Sequence, residues 1–154
     1  MNKPTIIVGK RRSANLDRHF ATEKPDVVLL DDGHQHLALG RDLNIVLFDA
    51  TMPISGYRVA PIGYMREGFS ALKDADIVII GRADLVPKEK IDYLTQMIAK
   101  HKRPSVPIAK FGYYPEGVFD RDLVFSMETS ALQGKNVLLV AGIASPTSFF
   151  RQVE

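Results

Sequence analysis

The sequence predicts an α/β domain, with a mostly parallel sheet flanked by helices. Three observations carry that expectation. Short runs rich in Val and Ile recur along the chain, and none alternates apolar with polar residues, so both faces of each should be covered. Helical spacings lie between the runs. At 154 residues and 45% apolar content the chain can bury a core, which suits one domain or one domain plus a fraction of another.

The first run is Thr5-Ile6-Ile7-Val8, followed by Lys10, Arg11 and Arg12, a basic turn read as solvated rather than as an anion site. Ser13 to Thr22 carries Leu16 and Phe20 four apart, which predicts a helix. The second run, Asp26-Val27-Val28-Leu29-Leu30, leads into Asp31-Asp32-Gly33-His34-Gln35-His36. The third, Asn44-Ile45-Val46-Leu47-Phe48, ends at Asp49 in the same way. Only the 11 residues Gly33 to Leu43 separate the two, close to the lower limit for a parallel crossover, so their adjacency stays open. Phe69 and Leu72, three apart, predict helix after Arg66, and the fourth run is Asp76-Ile77-Val78-Ile79-Ile80. Lys88 to Lys102 places Ile91, Leu94, Met97 and Ile98 on one stripe, with Pro87 suited to the first turn. The fifth run, Val137-Leu138-Leu139-Val140-Ala141, ends at Gly142.

The expected organisation is an α/β core over residues 1–103 carrying the acidic pair, a hinge or small β excursion over 104–136, and the start of a C-terminal α/β unit over 137–154. Pro104, Pro107, Gly112, Pro115 and Gly117 punctuate the middle stretch, between aromatic residues such as Tyr113, Tyr114, Phe119 and Phe125. In the last, Ser145 suits an N-cap, Pro146 the first helical position, and Phe149, Phe150 and Val153 an apolar face. A helix that begins there and stops at Glu154 reads as an unfinished unit, so the fold is expected to be incomplete and the chain a piece of a longer protein.

Composition removes several classes. Zero cysteines exclude a disulfide scaffold, thiolate zinc sites and cysteine nucleophiles. No apolar run approaches the roughly 20 residues of a spanning helix, and the N-terminus has no stretch of signal-peptide length. A formal charge of +2, from 20 Lys and Arg against 18 Asp and Glu, gives no argument for nucleic acid. The chain reads as soluble and intracellular. It contains no Gly-x-x-x-x-Gly-Lys-[Ser/Thr] loop and no Gly-x-Ser-x-Gly elbow.

The strongest chemical signal is Asp31-Asp32. A buried strand ending in carboxylates places charge at the carboxyl edge of a parallel sheet, where open α/β folds bind ligands. In phosphoryl-transfer proteins an acidic residue there holds Mg²⁺ beside the phosphates. A single Asp would serve as well to cap a turn; the doubled Asp followed by Gly-His-Gln-His favours the site. Gly33 would let the backbone turn sharply, so that Gln35 and His36 face the same pocket. Mg²⁺ prefers oxygen, which makes the histidines polar neighbours rather than ligands. Pro61-Ile62-Gly63-Tyr64-Met65-Arg66-Glu67 is a loop entering a helix, where Arg66 could clamp a phosphate and Glu67 suits the positive end of the dipole. From these residues alone an ordinary surface loop with a first-turn Glu is the better explanation.

Taken together, the motifs resemble the tetraacyldisaccharide 4'-kinase family, the lipid A 4'-kinases of Gram-negative bacteria. The family's Asp-Asp-Gly-(Phe/Leu)-Gln-His is similar to Asp31-Asp32-Gly33-His34-Gln35-His36. Arg41-Asp42 and the run to Asp49 follow, then Ala60-Pro61-Ile62-Gly63-Tyr64-Met65-Arg66-Glu67 for the family's Leu-Pro-x-Gly-x-Leu-Arg-Glu. Leu72-Lys73, Ala75-Asp76 and Ala141-Gly142-Ile143-Ala144-Ser145-Pro146 to Phe149-Phe150 complete the series.

The resemblance implies a P-loop NTPase-like fold and ATP-dependent phosphorylation of the 4' hydroxyl of a disaccharide lipid precursor, at the cytoplasmic face of the inner membrane. It implies Asp31 and Asp32 as the Mg²⁺ site, Gly33 and Gln35 as cofactor-binding positions, and His36, Arg66 and Glu67 as the catalytic candidates. The family's phosphate-binding loop, its membrane-associating helix and its catalytic base would lie outside this chain. ATP, the lipid A disaccharide precursor and, peripherally, the membrane surface are the implied partners, with no nucleic acid. The chain alone is expected to be inactive, because phosphoryl transfer is mostly positioning and electrostatics. Two other readings stand beside it: a binding or regulatory module that kept the scaffold without catalysis, and some other α/β metal-dependent phosphotransferase.

Overall fold

In a computed structural model of the chain, residues 4–143 and 146–153 are described. They form two compact units, Met1–Asn44 and Ile45–Glu154. The expected N-cap at Ser145 lies outside the described residues.

The second unit carries the sheet. Strands β1 (Ile45–Asp49), β2 (Ile77–Gly81) and β3 (Ile108–Phe111) lie in the order β1-β2-β3, and both pairings are parallel. Ile45 stands opposite Ile77 and Asp49 opposite Gly81; Val78 stands opposite Ile108 and Gly81 opposite Phe111. Registered neighbours share a face, so Val46, Val78 and Ile108 point one way with Phe48 and Ile80. Ile45, Leu47, Ile77 and Ile79 point the other.

The first face makes the core. Helix α2 (Lys88–Ala99) turns Ile91, Leu94 and Ile98 onto it at spacings of three and four, and these bury with Phe48, Val78, Ile80, Leu72 and Val106. Each such side chain contributes about 1.5–3 kcal/mol on leaving water. Beyond the helix, Arg103 Nη2 donates to the Ala75 carbonyl and to Asp76 Oδ1, both at 2.8 Å, which pins the entrance to β2. The second face is half covered: Leu47 is 63% exposed. Two short 3₁₀ helices, Ile54–Gly56 and Phe69–Asp74, lie on the connection from β1 to β2. Thus the helix expected at Phe69 and Leu72 is a tighter 3₁₀ coil, with only Leu72 fully buried.

Three of the five expected strands are not strands. Thr5–Val8, Asp26–Leu30 and Val137–Ala141 join no ladder among the described residues, and Val8 and Leu29 are each 91% exposed. A strand exists only through its partner's backbone groups, and among the described residues these runs have none. In place of the second run, β3 joins the sheet from within the stretch expected as a hinge or small β excursion. The same stretch also holds an antiparallel pair, β4 (Val118–Phe119) and β5 (Phe125–Met127), closed by Phe119 against Phe125 edge to face.

The first unit is built around α1 (Arg12–Glu23), the expected first helix extended by a residue at each end. Lys24 ends it in the left-handed conformation, its N–H returning to the Phe20 carbonyl. Near the C-terminus, α3 (Pro146–Val153) follows the expected start at Pro146, and Arg151 Nη1 donates to the Leu85 carbonyl.

Candidate functional site

The predicted acidic pair lies in the first unit, on a chain of turns after the unpaired second run. Asp31 and Asp32 are both exposed. The sharp bend expected of Gly33 is made by Asp32 itself, which takes a positive φ of 50°, a conformation that Asp tolerates better than most residues. Gly33 is needed for space: a Cβ there would come within 2.8 Å of the Leu30 side chain and 3.1 Å of its carbonyl oxygen. The Gly33 carbonyl accepts the His36 N–H at 2.9 Å and the Arg41 guanidinium, which also reaches the His34 carbonyl. Arg12 donates to the Asp32 carbonyl at 3.1 Å, so one residue of the basic turn after the first run is a strut for the acidic turn. Two arginines therefore fix the backbone that carries Asp31 and Asp32.

His34, where the family carries Phe or Leu, sits with Nδ1 2.9 Å from Asn44 Nδ2. Gln35 is exposed and His36 half-buried.

Arg66 and Glu67 belong to the second unit and are exposed. They close a loop that leaves the carboxyl end of β1. Met65 N–H donates to Arg58 O at 3.0 Å, Ala60 N–H to Met65 O at 2.9 Å, and Tyr64 N–H to Gly56 O at 2.9 Å. Gly63 fits only without a Cβ, which would collide with the Arg58 backbone. The loop is thus a fixed object rather than a loose connection.

At its root lies Asp49, which the sequence marked as a strand end without assigning it a partner. Its Oδ1 accepts Thr51 N–H at 3.0 Å and Thr51 Oγ1–H at 2.7 Å, and its Oδ2 pairs with Arg82. Its carbonyl accepts Tyr57 Oη–H at 2.6 Å. Burial pushes the Tyr57 phenol up to about 12, and the Asp49 charge beside it acts in the same direction. Sequence reasoning passed over Arg82, Thr51 and Tyr57. The register was the missing signal: once β1 and β2 are adjacent, Asp49 faces Gly81 and the next residue is Arg82.

Among the described residues no group of three or more His, Asp or Glu could hold a metal ion by itself. Two neighbouring carboxylates nevertheless suit Mg²⁺, which takes one or two protein carboxylates and completes its shell with phosphate and water. Among the described residues no helix is long and apolar enough to cross a membrane.

The parallel three-stranded sheet flanked by helices makes this an α/β protein, with a charged, hydrogen-bonded cluster at the carboxyl end of β1. Comparison with known proteins narrows the class. The family described as tetraacyldisaccharide-1-P 4'-kinase matches residues 1–154, and the chain belongs to that family. Tetraacyldisaccharide 4'-kinase of Desulfotalea psychrophila is 36% identical over 152 residues, covering 97% of this chain and 42% of that protein. The enzyme of the same name in Bdellovibrio bacteriovorus is 35% identical over 132 residues, covering 84% and 38%. A probable mitochondrial tetraacyldisaccharide 4'-kinase of Arabidopsis thaliana is 33% identical over 134 residues, covering 86% and 34%. The chain therefore spans well under half the length of these relatives. No solved structure matches it.

Proposed function

We propose that this chain is the metal-binding and substrate-facing portion of an ATP-dependent kinase that phosphorylates the 4' hydroxyl of a tetraacyldisaccharide 1-phosphate, the lipid A disaccharide precursor. The observation that supports it best is the Asp31-Asp32 turn, two exposed carboxylates on a backbone tied down by Arg12 and Arg41, in a chain that matches the kinase family from end to end. The whole enzyme would have a P-loop NTPase-like fold, and this chain holds no phosphate-cradling glycine loop of its own. Alone it would be inactive. It would work at the cytoplasmic face of the inner membrane, touching the lipid surface through segments outside this chain.

Asp31 and Asp32 would hold Mg²⁺, which when bound neutralises charge on the phosphate oxygens. Gly33, whose missing side chain lets Leu30 pack against the turn, would offer its backbone to the phosphates, and Gln35 would offer an amide to the same ligand. His36 lies two residues beyond His34 and would donate to phosphate or substrate. Arg66 would add positive charge to the transferred group, with Glu67 orienting it.

The test is phosphate transfer from ATP to the disaccharide by the chain completed to the length of its relatives. Asp31→Asn and Asp32→Asn should each lower kcat by at least about 100-fold, the scale of removing one preorganised electrostatic contact. Full activity in both variants removes the assigned role. Transfer by the 154-residue chain alone would overturn its predicted inactivity.

A further inference from the structure

We infer that Asp49 is a positioning residue for the Arg66–Glu67 pair, setting from the end of β1 the place of a loop whose functional residues lie 17 and 18 positions later. The inference rests on the kinase reading for its consequence in catalysis, but its geometry stands within the second unit alone.

Each link is a specific contact. The Asp49 carboxylate holds Thr51 through backbone and hydroxyl, fixing the direction in which the chain leaves the strand. The Asp49 carbonyl holds the Tyr57 hydroxyl, and Tyr57 is buried against Phe48 with ring centroids 6.1 Å apart. Arg58, the next residue, accepts Met65 N–H, and Met65 in turn accepts Ala60 N–H. Arg66 is bonded covalently to Met65. On its far side the pair runs through Gly68 into Phe69, which stacks on Phe48 at 5.5 Å. Both ends of the Arg66–Glu67 segment are therefore referred back to Phe48 and Asp49, the last two residues of β1.

A turn cap alone does not account for this arrangement. Thr51 already satisfies one carboxylate oxygen; the other is occupied by Arg82, whose backbone is left-handed at φ 56°. That conformation is sterically costly for any residue with a Cβ and free for glycine. The arginine at this position holds the second oxygen, a contact that glycine could not make. The ion pair, 28% and 37% exposed, locks the carboxylate's rotation, and with it the loop.

Two measurements test this. In the 154-residue chain, Asp49→Asn keeps an oxygen for Thr51 and removes the charge that holds Arg82. Hydrogen exchange at the Met65 and Ala60 amides should accelerate at least about 10-fold, while Val78 and Ile80 in β2 keep their wild-type rates. Unchanged exchange at Met65 and Ala60, or uniform acceleration including β2, overturns the inference. In the chain completed to the length of its relatives, Asp49→Asn should lower kcat about 10- to 100-fold with KM for ATP within about threefold. Combined with Arg66→Ala it should cost no more than Arg66→Ala alone, as for residues acting through one another. Asp49→Glu, which restores the charge, should recover part of the rate. Losses that multiply, or an Asp49→Asn enzyme of full rate, overturn the positioning role. If the completed wild-type protein transfers no phosphate, the kinase reading fails while the exchange result still decides whether Asp49 governs the loop.

Discussion

Replacing Leu94 and Leu47 in turn by alanine measures how one-sided the sheet is. Leu94 on α2 is 1% exposed and meets the sheet beside Ile80 and Val78. Leu→Ala removes the equivalent of about three methylenes, at about 0.8 kcal/mol each, or about 2.4 kcal/mol of transfer energy before any cavity term. With the cavity the cost falls in the usual 2.7–5 kcal/mol range for such sites, so about 3 kcal/mol is expected. Leu47 makes the same chemical change on the opposite face, but at 63% exposure only about a third of its side chain leaves water on folding. Its transfer cost is below about 1 kcal/mol, and little cavity is left behind. Urea unfolding followed by circular dichroism should therefore lower the midpoint much more for Leu94→Ala, with the slope unchanged in both. Equal destabilisation would refute the assignment of the core to the α2 face. Repeating Leu47→Ala in the chain completed to the length of its relatives adds information: a cost that rises toward that of Leu94→Ala means that another segment covers the second face.

Tyr57 gives a pH prediction. Its folded pKa of about 12 lies above the ordinary value of 10.0, so its contribution is fully present below pH 10 and is lost as pH rises toward 12. A shift of this size corresponds to about 2–3 kcal/mol, read as a fall in unfolding free energy that Tyr57→Phe lacks. Tyr57→Phe should itself cost about 1 kcal/mol at pH 7 through the lost bond to the Asp49 carbonyl; no loss would mean that the bond contributes nothing. Gly63→Ala, which drives a methyl into the Arg58 backbone, should destabilise by about 2 kcal/mol or more by thermal unfolding. Gly40→Ala, with open space at its Cβ, should be neutral within about 0.5 kcal/mol, and equal effects would sink the packing account of the loop.

What the sequence revealed depended on whether the cause was local. The stripe Ile91, Leu94, Ile98 announced α2 because helix periodicity is carried within one segment, and β1 and β2 were legible because each is a short run of branched residues. The runs at Thr5–Val8, Asp26–Leu30 and Val137–Ala141 have the same composition and are not strands here, because strand identity is decided by a partner's backbone and composition cannot supply one. Conversely β3 escaped notice: Ile108-Ala109-Lys110-Phe111 has a lysine and an alanine in the middle and lies between prolines, yet pairing with β2 makes it a strand. At the site, the acidic turn was legible because Asp-Asp-Gly is contiguous. The struts Arg12 and Arg41 and the Asp49–Arg82 pair were not, because each joins residues 8 to 33 positions apart.

The unpaired runs bear on how the family's chemistry is distributed along its sequence. A run such as Asp26–Leu30 leads directly into the candidate metal ligands, so their position depends on what the run pairs with. In the described residues it pairs with nothing, and the turn is held instead by two arginine side chains acting on carbonyl oxygens. Side-chain struts of this kind fix local backbone shape but not the placement of that backbone against a sheet, which only ladder hydrogen bonds set. Asp31 and Asp32 thus lie on a turn held locally by side chains, with no ladder among the described residues to set it against a sheet. Arg12→Ala and Arg41→Ala should accordingly loosen the turn in this chain, seen as chemical-shift changes confined to residues 31–36. If the second run is paired in the chain completed to the length of its relatives, the same substitutions should matter less there, since a ladder would then share the load. A turn that collapses equally in both settings would show that the arginines, not the strand, are what aims the carboxylates.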